Sequence, residues 1–310
     1  FFMINKIVAV QGDDFSKINI NSDTSIFLAY EAQKIKYKIF YYHPNKLSII
    51  NSKVIAEGCF VKFNYANKKF YKILKKQKLS LDKCKFILIR QDPPFNLDYI
   101  STTYMLETLT KNVKIINNPK SIRNISEKFY SKKFIKYMPN TIFSKNILEI
   151  KKFLKKNKEI IIKPVHGYGG NDIHFIKKFS LTLIEKLISK HGYLMCQRYL
   201  KNIKFGDKRV FIINGKVEGV ISRVPKKGSF LSNMSKGAKP KLISLSKSEI
   251  QITKLISKDL KKQNIYFAGI DFIDGKLNGD INVTSPTGLK TFFDLSNKNL
   301  AKVFWKGLGS

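Results

Sequence analysis

Short apolar runs recur along the chain: KIVAV (6–10), KIFYY (38–42), KFILIR (85–90), VKIIN (113–117), EIIIK (159–163), RVFII (209–213) and FAGIDFI (267–273). Their length and their β-branched and aromatic content predict strands. Helical spacing lies between several of them. Residues 24–35 can start from Asp23 as N-cap. Residues 181–191 put Leu183, Ile184, Leu187 and Ile188 on one face and offer Gly192 as a stop. Residues 246–262 open with the capping-box spacing Ser246-Lys-Ser-Glu249 and carry Ile252, Leu255, Ile256 and Leu260 at helical intervals. Strands alternating with helices predict an α/β fold. Pro93-Pro94 breaks one strand, and Asn118-Pro119 closes a unit, so a first boundary is expected near residue 120. Beyond it, FIINGKVEGVISRV (211–224) reads as antiparallel strands joined by a glycine turn, which makes the C-terminal part α+β.

A chain of 310 residues is too long for one ordinary core, so two or three subdomains are expected. No apolar stretch approaches the length of a membrane span, because lysines interrupt every candidate. The opening FFMINKIVAV reads as a strand rather than a signal peptide. Cys59, Cys84 and Cys196 are odd in number and unclustered, which argues against a disulfide scaffold or a zinc site and fits a reducing cytoplasm.

The formal net charge of +36 first suggests a polyanion partner. Of the 58 cationic residues, however, only five are arginine: Arg90, Arg123, Arg198, Arg209 and Arg223. Nucleic-acid readers depend on arginine for bidentate contacts. The lysines are spread through nearly every helix, and the richness in Lys, Asn, Ile and Phe matches an AT-rich coding bias. The charge is therefore mostly background, and neither a nucleic-acid nor a membrane partner is expected.

Two segments carry candidate chemistry. In IIIKPVHGYGGNDI (160–173) a strand ends at Lys163-Pro164 and the glycine-rich Gly167-Tyr168-Gly169-Gly170 follows. Such a loop can turn backbone N–H groups toward a phosphate that the lysine also reaches, although an ordinary hairpin turn has the same composition. In GIDFIDGKLNGDINVTSPTG (269–288), Asp280 and Asn282 point to one face of a strand, and a turn around Gly275 can bring Asp271 opposite them. Three oxygen ligands of that kind suit Mg²⁺ on nucleotide phosphates, whereas turn-type Asp and Asn could equally just solvate the hairpin. The Ser-, Gly- and Lys-rich segment 222–240 has the length of a lid, and RQDPPF (90–95) follows a strand where α/β sheets bind ligands.

The order RQDPPF, SEKF (126–129), IIIKPVHGYGG, MCQRYL (195–200), GDKRV, SRVP, AGIDFI and DINVTSPTG resembles prokaryotic glutathione synthetase, an ATP-grasp ligase, over about residues 4–295. The resemblance implies an ATP-grasp fold with a Rossmann-like N-terminal domain over 1–122, a small subdomain over 123–202 and a C-terminal subdomain over 203–310 with a mobile loop at 224–240. It implies ATP and Mg²⁺ (or Mn²⁺) as cofactors, γ-glutamylcysteine and glycine as substrates, and a homotetramer.

The residue roles it implies are as follows. Lys128 and Lys163 contact ATP phosphates under the loop Gly167, Tyr168, Gly169 and Gly170. Gln197, Tyr199 and Leu200 receive adenine, with Asp207 nearby. Asp271, Asp280 and Asn282 hold the metal, and Arg209 and Arg223 bind the reacting carboxylate or the transferring phosphoryl group. Arg90, Asn233, Ser285 and Thr287 hold the peptide. Four of the five arginines lie in or beside these segments, where bidentate binding is something lysine cannot copy. The chain departs from the family pattern in having Asp280 in place of Glu, Leu231 in place of an arginine, Ser232 in place of a glycine, Ala238 in place of a second glycine, and Gln91 at a position more often basic. Another ATP-grasp peptide or amino-acid ligase, an inactive relative, and a basic nucleic-acid-binding protein are the alternatives.

Overall fold

The computed structural model describes residues 6–66 and 69–309. The chain forms three sheets. The first contains β1 (Ile7–Gln11), β2 (Lys38–Tyr42), β3 (Leu47–Ile50), β4 (Lys53–Phe63), β5 (Tyr71–Ser80), β6 (Phe86–Ile89) and β7 (Lys114–Ile116), in the order β3-β4-β2-β1-β6-β7 with β5 on the free side of β4. The central β2, β1, β6 and β7 are parallel, and the apolar runs read from the sequence form all four. The first five residues of the expected opening strand lie outside the described residues. The hairpins β3–β5 had no counterpart in the sequence reading. In β5, an edge strand, only Leu79 is buried, so periodicity gave no buried face to detect.

Helix α1 (Thr24–Lys34) starts as expected, with the Asp23 carboxylate accepting from the Ile26 N–H at 2.6 Å. It covers one face of the first sheet, while α2 (Leu97–Glu107) and α3 (Pro119–Asn124) pack near the other.

The second sheet has β8 (Thr141–Ser144), β9 (Ile160–Pro164), β10 (His174–Ile176) and β11 (Leu194–Arg198), all antiparallel in the order β10-β9-β11-β8, backed by α4 (Ile147–Asn157) and α5 (Leu181–His191). The third has β12 (Asp207–Ile213), β13 (Lys216–Val224), β14 (Lys239–Leu242), β15 (Phe267–Ile273) and β16 (Lys276–Asn282), in the order β14-β13-β12-β15-β16. Helix α6 (Lys247–Lys262) carries the full reciprocal capping box at Ser246 and Glu249. Helices α7 (Leu289–Ser296) and α8 (Leu300–Gly307) return to pack on α1, burying Trp305 and Phe304 between the first and third sheets.

Asn117 joins those two sheets. Its amide donates to the carbonyls of Phe267 (2.7 Å) and Val283 (2.6 Å), and its oxygen accepts from the N–H groups of Tyr266 (2.9 Å) and Phe267 (2.8 Å). One buried side chain thus satisfies four backbone groups at the start of β15 and the end of β16 and sets how the first sheet sits on the third. Among the described residues no helix is long and apolar enough to cross a membrane.

Candidate active site

A cavity of about 640 Å³ lies where the three sheets meet. Lys163, near the C-terminal end of β9, is buried and donates to the Asn278 carbonyl (3.0 Å), the Asn278 amide oxygen (2.9 Å) and Asp280 (3.1 Å). Lys128, on the segment after α3, donates to the Gly167 carbonyl at 2.8 Å and pairs with the other Asp280 oxygen at 3.4 Å. Burial alone would push the Asp280 carboxyl up, but Lys163 and Lys128 outweigh it and hold it at about 2. Burial likewise opposes the charge on Lys128, and Asp280 with Glu127 more than restores it.

Beside this group runs a chain of alternating charges. Arg209 on β12 stands opposite Asp271 on β15, and its fork grips that carboxylate through Nε and through Nη2 at 2.7 Å. Arg223 on β13 stands opposite Asp207, gripping it with Nε at 2.9 Å and with Nη2, which also reaches Asp271 at 2.8 Å. Asp271 is buried, a state that disfavours its charge, yet the two arginines hold its carboxyl below the ordinary value. Arg223 is also desolvated, and Asp207 and Asp271 nevertheless raise it.

The third sheet bulges at this point. Ile270 pairs with Ile281 and Phe272 with Leu277, so Asn278, Gly279 and Asp280 together oppose Asp271. Gly279 has φ +83°, a conformation that favours glycine, and a Cβ there would also have to displace the Met195 methyl at 2.2 Å. The expected juxtaposition is present: Asp271, Asp280 and Asn282 all line the cavity. Each carboxylate is tied to cations, and among the described residues no three His, Cys, Asp or Glu side chains group as a ready metal site.

The glycine loop connects the antiparallel β9 and β10, so it is a hairpin turn and a cavity wall at once. At Gly170 (φ +76°) a Cβ would meet the Asn233 side chain at 2.5 Å, which shows how closely the 224–240 segment approaches the loop. Lys236 also donates to Asn171 at 2.9 Å, and Ser232 donates to Asp207. The Ser232 found where the family more often has glycine therefore has a partner in the site.

Tyr168, Gln197, Tyr199, Leu200, Asn233, Ser285 and Thr287 line the same cavity. Arg90 stands behind the lining, donating to the Pro286 carbonyl at 2.9 Å and to Ser25 at 3.1 Å. Arg198 lines the cavity and is exposed, whereas Arg123 pairs with Glu107 and serves the helix packing. Three lining acids, Glu127, Asp23 and Asp92, received no site role from the sequence. Only the position of Glu127 beside Lys128, and of Asp92 inside RQDPPF, could have signalled them.

Two family models match the chain: the prokaryotic glutathione synthetase N-terminal domain over residues 7–123 and the prokaryotic glutathione synthetase ATP-grasp domain over residues 127–297. The chain belongs to the prokaryotic glutathione synthetase family. It is 35% identical over 303 residues to a glutathione synthetase of Mesorhizobium japonicum, covering 96% of each chain. It is 37% identical over 286 residues to one of Buchnera aphidicola subsp. Acyrthosiphon pisum, covering 90% of this chain and 89% of that one. Among solved structures, a D-cycloserine synthetase superposes with TM-score 0.67 at 11% identity, covering 97% of this chain and 98% of that one. A D-alanyl-alanine synthetase A of Vibrio cholerae superposes with TM-score 0.61 at 13% identity, covering 97% and 96%. At that identity the likeness speaks for the ATP-grasp fold alone. Family and fold make this glutathione synthetase family member an ATP-dependent ligase.

Proposed function

We propose that the cavity joins γ-glutamylcysteine to glycine at the expense of ATP, through an acyl phosphate on the cysteine carboxylate. The observation that carries this reading is the paired array of Lys128, Lys163, Arg209 and Arg223 with Asp271 and Asp280 in one cavity. Forming an amide from a carboxylate and an amine in water is uphill, so the carboxylate is first activated. Its oxygen attacks the γ-phosphorus as ADP leaves. The glycine nitrogen then attacks the acyl carbon, loses a proton, and phosphate departs. Phosphoryl transfer asks the protein mainly for positioned positive charge, which the two lysines and two arginines supply.

Lys163 and Lys128 exchange Asp280 for phosphate oxygens, under the loop formed by Gly167, Tyr168, Gly169 and Gly170. Arg209 and Arg223 orient the donor carboxylate and the transferring group. Gln197, Tyr199 and Leu200 receive adenine beside Asp207, and Ser285, Thr287 and Asn233 line the peptide's part of the cavity with Arg90 supporting the wall. Asp271, Asp280 and Asn282 are an all-oxygen donor set with both carboxylates ionised, which fits a hard divalent cation such as Mg²⁺, with Mn²⁺ as an acceptable substitute. That cation supplies neutralisation of the phosphate charge. The segment 224–240 excludes water from the acyl phosphate.

The working units in this reading are 1–122 for the peptide, 123–202 for the nucleotide and 203–310 for the metal and the lid. Three buried free cysteines support a reducing, cytoplasmic setting. The test is ADP release against a panel of dipeptides and amino acids. Turnover is expected only with γ-glutamylcysteine and glycine together, and turnover of other pairs but not this one overturns the assignment.

A further inference from the structure

The cavity has a second electrostatic character on the wall contributed by the first sheet. Asp23, at the start of α1, and Asp92, in RQDPPF, both line it. Asp13 stands beside them, its carboxylate accepting the Asp92 N–H at 2.9 Å. The one guanidinium near these three carboxylates is Arg90, which directs two of its donors to neutral acceptors, the Ser25 hydroxyl and the Pro286 carbonyl, and forms no ion pair among the described residues. In a chain with only 22 acidic residues and 58 basic ones, this is a local surplus of negative charge facing a cavity. Both acids are displaced upward. Burial against the cavity walls, then Asp13, pushes Asp92 up to about 6, and burial also raises Asp23.

A separate observation bears on the same place. The Tyr99 hydroxyl is buried, its residue 2% exposed, and it has no hydrogen-bond partner among the described residues. Arg90, Asp92 and Asp13 are the charges acting on it. A buried phenol left unpaired beside carboxylates is costly unless something reorganises that corner.

We propose that Asp23 and Asp92 form a subsite for a primary ammonium group on the end of the donor peptide remote from its reacting carboxylate. An ammonium group offers three donors and one positive charge, which matches two carboxylates that form no ion pair among the described residues. The cavity wall is then dipolar: arginines take the reacting carboxylate, and the acids take the amino end. The substrate class is accordingly a peptide with a free amino group. For γ-glutamylcysteine this group is the α-ammonium of the glutamyl residue, so the inference rests on the ligase reading above.

The test compares γ-glutamylcysteine with glutarylcysteine, which lacks only the amino group, in the full chain and in its Asp92→Asn and Asp23→Asn variants. Asp23→Asn keeps an oxygen for the Ile26 N–H and so keeps the cap of α1. Wild type is expected to prefer the amino peptide by an order of magnitude or more. Each variant should raise its KM on the order of tenfold while leaving KM for ATP and the handling of glutarylcysteine near wild type. An unchanged preference in both variants, or equal losses for both peptides, overturns the subsite. Calorimetric binding of the two peptides repeats the comparison without turnover. Discrimination without turnover would then overturn the reaction and support the subsite, whereas turnover without discrimination would do the reverse.

Discussion

Asp280 and Asp92 line one cavity, and their carboxyls are displaced in opposite directions, to about 2 and to about 6. Desolvation pushes both upward. The difference lies in what faces them: Asp280 lies between Lys163 and Lys128, while Asp92 faces Asp13 and Asp23 with only Arg90 to offset them. Burial therefore raises both carboxyls, and the sign of the neighbours decides whether it prevails. The end near Asp280 has its charges already paired. The end near Asp92 arrives with negative charge in surplus.

The widest separation between the two ends should come from the same isosteric change made at each. Asp280→Asn removes a proposed metal ligand and leaves two buried lysines without their acid, so kcat/KM in the ADP-release assay should fall on the order of a thousandfold or more. Asp92→Asn should change KM for the peptide alone. Equal effects would dissolve the distinction. Next in size, Arg209→Lys should cost on the order of a hundredfold in kcat, because an ammonium cannot reproduce the fork on Asp271, while replacing an exposed lysine such as Lys152 should change little.

The pH response sharpens the comparison further. Asp92 takes up a proton as pH falls through about 6, with Asp13, Asp23, Arg90, Tyr99 and Tyr41 as the groups facing it. Peptide KM should rise below that pH, and Asp92→Asn should flatten the rise. For stability the signs are opposite. The lowered Asp280 contributes stability above its ordinary 3.8 that is lost as pH falls toward about 2. The raised Asp92 makes a contribution that is present below 3.8 and lost as pH rises through about 6. Urea unfolding of each Asn variant across pH 2–7 reads both signs. The smallest effect is expected for Ser232→Ala, which removes one bond from the 224–240 segment to Asp207 and should cost about 1 kcal/mol of closure, a several-fold rise in KM.

Much of the site was legible in the residues. Lys163 ending a strand before three glycines, the Asp280/Asn282 spacing, and the rarity of arginine each pointed to the cavity, because strand alternation and side-chain chemistry act over a few residues. The hairpins β3–β5 were not legible: β3 and β5 are edge strands with one buried residue each, and β4 buries Val54 and Ala56, then Cys59, Val61 and Phe63, so its alternation changes phase midway. Nor were the ion pairs: Arg209 is 62 residues from Asp271, and Lys163 is 117 from Asp280. Asp23 read only as a helix cap. Its second role needs Asp92, which lies on another segment.

The sequence by itself determined the helix caps at Asp23 and Ser246, the core strands of the first sheet, the turns at Gly215 and Gly275, and the family through its ordered motifs. Those depend on propensity and local hydrogen bonding. Only the tertiary structure decided which carboxylates are paired and which are not, that Asn117 locks the first sheet to the third, and that Ser232 and Asn233 close on the site. Electrostatic character depends on through-space neighbours, and those are set when sheets distant in sequence close around one cavity.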